Sequence, residues 1–122
     1  MNRAAPDTYA VVPFRRMGER MEDPKRRELL HVLRETRAML ARPGNDFIWS
    51  SWEDADAALA EVDGLIERIE AGGLPFRIAI SILFAVTGPI QETAMSSGWG
   101  DEFLALAERC DAAVAAVYGR GG

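Results

Sequence analysis

Residues 76–87, FRIAISILFAVT, constrain the fold more than any other stretch of the chain. Phe76, Ile78, Ile80, Ile82, Phe84 and Val86 alternate with Arg77, Ala79, Ser81, Leu83, Ala85 and Thr87, the period of a strand with its bulky residues on one side. A strand must pair its backbone with a neighbour, and only the weak segments 9–14 and 47–49 could supply one. Wound into a helix from Pro75 to about Thr87, the same residues are apolar all round, which predicts burial on nearly every side. The helical reading is preferred because amphipathic helical patterns flank the run. This third helix then becomes the central post of a bundle.

The first flanking helix starts with Asp23 as N-cap and Pro24 at its first position, and runs to about Arg42, where Pro43 and Gly44 stop it. Leu29, Leu30, Leu33 and Leu40 form its seam, widened by Val32 and Met39. Lys25, Arg26 and Arg27 crowd its first turn against the macrodipole, so an acidic group is expected to face them. A second helix opens at Ser50 and Glu53, which have capping-box spacing, and closes at Gly72 and Gly73. Its apolar face (Trp52, Ala55, Ala58, Leu59, Val62, Leu65, Ile66, Ile69) spans about 140° of arc. Asp56, Asp63, Glu67 and Glu70 line a neighbouring edge.

Gly88 and Pro89 break the central run, and residues 90–100 read as a Gly- and Ser-bearing loop with one helical turn at 91–94. The last helix starts between Ser97 and Asp101, with a seam of Phe103, Leu106, Ala107, Cys110, Ala113, Val114 and Val117 and a frayed end at 119–122. Residues 1–23 contain Pro6, Pro13 and Gly18 and hold no helical period for long, so they form an extended arm that lies against the bundle or a neighbouring subunit. The expected architecture is all-α: a four-helix bundle with a buried apolar third helix, organised as an N-terminal arm (1–23) and a single helical domain (24–122).

With 122 residues and 48% hydrophobic content the chain can bury one core without staples. A lone cysteine excludes an internal disulfide, no leader pattern opens the sequence, and no apolar run approaches the roughly 20 residues of a spanning helix. A cytoplasmic protein with no membrane partner is the expectation. The net charge of −5 is unevenly placed: seven basic and four acidic residues occur up to Arg27, seven and fifteen after it. An acidic body repels phosphate backbones and argues against nucleic acid as a partner.

No catalytic, metal or cofactor pattern is complete. Glu28, His31 and Glu35 share one helix face with the Glu-x-x-His spacing of di-metal bundles, but the chain has one histidine and those sites need two such motifs. The bland reading is a solvated row on the outer side of the first helix. Cys110 lies on an apolar seam, where a thiol behaves as a small hydrophobe. Trp49, Trp52 and Trp99 stand at loop-to-helix junctions, as core lids or as recognition residues. The acidic edge of the second helix has three open roles: a solvated face, internal pairing with Lys25, Arg26 and Arg27 or with Arg15 and Arg16, or a partner site.

Two functional expectations follow. The first is a small acidic interaction protein of the adaptor, antitoxin or immunity-like kind, without catalytic chemistry, binding a protein partner or a second copy of itself. The alternative is a small-molecule-binding bundle, an enzyme among the options, with a pocket beside the 88–100 loop. The residues singled out as partner- or ligand-binding are Gln91, Glu92, Trp99, Trp49, Asp56 and Asp63.

Overall fold

A computed structural model describes residues 23–86 and 88–119; all of the expected arm except Asp23, and the tail after Gly119, lie outside the described residues. Among those described there is no strand, and five helices follow one another: α1 (Pro24–Leu40), α2 (Ala55–Glu70), α3 (Arg77–Leu83), α4 (Pro89–Ser97) and α5 (Gly100–Tyr118). The all-α expectation therefore holds, and residues 77–83 are helix rather than strand.

The central element is α1, not the third helix. It packs against both α2 and α5, and α4 packs on α5. Leu29, Leu30, Val32, Leu33, Thr36 and Leu40 are all buried, and with half-buried Met39 they span about half the helix circumference at 100° per residue. That arc is wide enough to face two neighbours at once. The buried Thr36 hydroxyl is satisfied locally, donating to Val32 O at 2.8 Å. Asp23 caps the start through the Lys25 amide (3.0 Å), as its sequence position predicts. Among the cations of the first turn, Arg26 Nη1 donates to Gly73 O at 2.8 Å, just past the carbonyl pole of antiparallel α2.

The third helix departs most from expectation. Only seven residues long, α3 buries Ile80 and Leu83, and Phe84 behind it stacks on Phe103 with ring centroids 6.4 Å apart. Phe76 is 82% exposed, Ile78 66% and Ile82 56%. A helix of this length spans about 10 Å, too little to contact two long neighbours along their length. Apolar all round in sequence, it is buried on one side in the fold.

The expected loop at 90–100 is mostly α4. Gly88 and Pro89 take the N-cap and first helical positions, and Gly98 closes the helix at φ +87°, with the Trp99 amide donating back to Ala94 O at 3.0 Å. Gly88 is fixed by contact: a Cβ there would sit 2.6 Å from Ile82 O and 2.9 Å from Ala85 O. Gly88→Ala should therefore lower stability by about 1–3 kcal/mol, read as a lower urea midpoint at unchanged slope.

α2 also starts later than its sequence suggests. The capping box at Ser50 and Glu53 does not form. Ser50 Oγ accepts from the Trp52 amide (3.1 Å) in a turn, while Asp54 accepts from the Ala57 amide (2.9 Å) and caps the helix at Ala55. Ala58, Val62, Ile66 and Ile69 then form the buried face, within the predicted arc. Likewise α5 buries Phe103, Leu106, Cys110, Ala113 and Val114, all on the predicted seam.

Candidate functional site

Most charged residues singled out in the sequence are already paired inside the fold. Asp63 receives Arg37 Nε at 2.5 Å and Nη2 at 3.2 Å, and Glu70 pairs with Arg34, so two of the four carboxylates on the acidic edge of α2 are stitched to α1. The partners of these two carboxylates, Arg34 and Arg37, lie in the second half of α1. Asp56 stands exposed in the first turn of α2.

The Glu28-His31-Glu35 row stays largely solvated, as expected, and its two carboxylates are also reached from α5. Arg109, the one basic residue of α5, donates to Glu35 from Nη1 (3.0 Å), lies 2.8 Å from its second oxygen through Nη2, and reaches Glu28 at 3.3 Å. His31 Nε2 stands 3.2 Å from Glu35. The hydrogen bond from Arg109 holds the Glu35 carboxyl below its ordinary value, so this pairing stabilises the fold at neutral pH and is lost as pH falls through that lowered value. The groove of about 380 Å³ between α1 and α5 carries Glu35, Arg109 and Glu102 as its charged lining, the first two paired with each other. Cys110 is sealed in the core, and burial pushes its thiol up to about 12, which keeps it from acting as a nucleophile at neutral pH.

The tryptophans divide cleanly. Trp52 is buried and its indole donates to Glu61 at 2.8 Å. Trp99, 2% exposed, donates to Asn45 Oδ1 at 2.8 Å, which makes it a core lid rather than a pocket wall. Trp49 is 70% exposed.

One group of exposed apolar side chains gathers where α1 finishes and α5 begins. Asn45 bridges Trp99 to the last carbonyls of α1, donating to Met39 O (2.8 Å) and Leu40 O (3.0 Å). The Asp46 amide donates to Ser97 Oγ at 2.8 Å, and Asp46 Oδ1 accepts from the Ile48 amide at 3.0 Å in a tight turn. These bonds fix the 45–49 loop beside the α4–α5 elbow and turn Ile48 and Trp49 outward. Around the elbow lies an open groove of about 440 Å³ lined by Gln91, Met95, Phe103 and Leu104, with Asp101 and Glu102 on its rim. Met95 and Leu104 are exposed. Of the residues singled out in sequence, Gln91 lines this groove and Trp49 stands on the adjoining loop; Glu92, half-buried in the first turn of α4, and Trp99 are not part of the lining. Ile48, Met95 and Leu104 were missed: α4 explains Met95, which stands off its buried face, while Leu104 stands off the expected seam of α5.

Among the described residues no helix is long and apolar enough to cross a membrane. No protein-family model, curated protein or solved structure matches the chain.

Proposed function

We propose that this protein is a non-catalytic interaction protein that docks a protein partner on its elbow end, through Ile48, Trp49, Met95 and Leu104 set among acidic residues. The observation that carries this reading is the outward Trp49 on a loop pinned at both of its hydrogen-bonding corners. An exposed tryptophan on a pinned backbone supplies the type of contact that dominates interface energetics at a reduced cost in loop ordering. Asp46, Asp101 and Glu102 surround the apolar residues with negative charge, so the partner that fits is a segment with apolar anchors flanked by lysine or arginine. Opposite charge at the rim sets orientation and encounter rate, while the apolar anchors hold the complex.

A pocket for a small molecule receives less support. The groove is open, and the two side chains expected to give it a wall and an acid, Trp99 and Glu92, lie outside its lining. The test is recovery of stoichiometric partners from the source cell by the full chain and by Trp49→Ala/Leu104→Ala. The double variant should melt with the parent and lose at least tenfold in affinity, since each truncation removes an exposed anchor and no core. Equal recovery by the variant, or no stoichiometric partner for the parent, rejects the reading.

A further inference from the structure

The two ends of the molecule carry opposite charge. α1 is 17 residues long and spans about 25 Å, so its start and its finish are well separated, and the elbow stands at the finish. At the start, Arg26 Nη1 donates to Gly73 O (2.8 Å), Arg68 Nε to Leu74 O (3.1 Å) and Arg77 Nη1 to Gly119 O (2.7 Å), while the Tyr118 hydroxyl donates to Pro75 O (2.7 Å). These bonds gather three guanidinium groups about residues 73–75. Lys25 is exposed in the same helical turn as Arg26, and the exposed Phe76 and Ile78 flank Arg77.

The ion pairs of the fold bind α1 to its two neighbours. Arg34, Arg37 and Arg109 each meet a carboxylate, whereas among the described residues none of Arg26, Arg68 and Arg77 is ion-paired, and neither is Asp46, Asp101 or Glu102 at the elbow. Asp23 and Glu67 at the first end and Arg42 at the second reduce this polarity without reversing it. The same charges complement the helix poles, with cations at the carbonyl ends of α2 and α5 and Asp101 and Glu102 at the amide end of α5. That role engages one of the several N–H groups each guanidinium offers.

We infer, resting on the elbow reading above, that the elbow's partner is a second copy of this chain bound head to tail: Phe76, Ile78 and the Arg26–Arg68–Arg77 cluster of one copy dock on Trp49, Leu104 and the acidic rim of the next.

Charge complementarity carries this choice of occupant. The far end of the chain supplies what the elbow calls for, exposed apolar anchors flanked by arginine and lysine. A two-fold pairing through either end would set elbow acids against elbow acids, or the arginine cluster against itself, and like charges so placed oppose association. Two different surfaces therefore meet, and copies add until a ring closes or a filament extends.

Sedimentation of the full chain tests the inference. At low ionic strength the parent should form oligomers that grow with concentration, or one closed ring, and high salt should weaken the association by roughly tenfold or more. Arg68→Glu/Arg77→Glu blocks one end and Trp49→Ala/Leu104→Ala the other. Each variant alone should be monomeric, and their equimolar mixture should give a one-to-one pair and nothing larger, because one working end remains on each. Phe76→Asp blocks the first end while leaving the arginine hydrogen bonds in place, and should behave as the double charge reversal does. A parent that is monomeric at low ionic strength, a mixture no larger than its components, or a pair still formed by Arg68→Glu/Arg77→Glu alone overturns the inference. In those cases capture of a different protein that depends on Trp49 and Leu104 leaves the elbow reading standing. Self-association that persists in Trp49→Ala/Leu104→Ala alone, with every partner retained, overturns both.

Discussion

Leu33→Ala should lower the free energy of unfolding by about 3–4 kcal/mol, whereas Ile82→Ala should change it by less than about 1 kcal/mol. Both substitutions remove the same mass of aliphatic side chain from a helix, and both replace it with a better or equal helix former. Burial separates them. Leu33 is fully buried at the middle of α1, where the helix meets α2 on one side and α5 on the other, so its loss leaves a cavity that neither neighbour can close without leaving the other. Ile82 is more than half exposed on α3 and leaves no cavity. Urea denaturation of the two variants, with slopes equal to the parent, measures the contrast. A costly Ile82→Ala beside a mild Leu33→Ala would restore the third helix to the centre of the core and displace α1 from it.

That contrast also marks where sequence reasoning reaches its limit. Periodicity reports which side chains avoid water, and on that question it performed well: the buried residues of α2 and α5 all lie on the predicted seams. It does not report which neighbour supplies the cover. Residues 76–87 are the most apolar stretch, so burial on every side was the natural expectation, but a helix of seven residues has too little length to collect neighbours. The better signal for the centre was the breadth of the α1 arc, from Met39 through Leu33 to Leu30, which exceeds what one partner can cover. α4 was missed because Gln91, Glu92, Ser96 and Ser97 obscure its short apolar side; Pro89 at the front and Gly98 at the back frame a nine-residue helix by the usual asymmetry of proline and glycine. At the candidate site, Trp49 could be singled out as a loop tryptophan, but the contrast with Trp99 depends on Asn45, 54 residues away in sequence, and on Ser97 meeting the Asp46 amide. Pairings of that range follow from how the helices dock and leave no local trace.

The Asn45 junction accordingly carries the second large effect. Trp99→Ala should cost about 3–5 kcal/mol, since it empties the lid over the α4–α5 elbow. Asn45→Ala should cost about 1–3 kcal/mol, because the buried indole N–H loses its acceptor and Met39 O and Leu40 O lose their donor. If the two residues act through their mutual bond, the effects are not additive: with Trp99→Phe, which keeps most of the ring and removes the N–H, the double variant should cost about 1 kcal/mol less than the sum of the singles. With Trp52→Phe and Trp99→Phe leaving Trp49 as the one emitting tryptophan, Asn45→Ala connects stability to recognition. Asn45 precedes the Asp46 turn that holds Ile48 and Trp49 outward, so Asn45→Ala should lower the anisotropy of Trp49 emission and weaken partner capture even where the helices remain folded. Additive stabilities with unchanged Trp49 emission would mean the loop is positioned by the Asp46–Ser97 contact alone, and the tryptophan lid would then belong to the core without acting on the recognition surface.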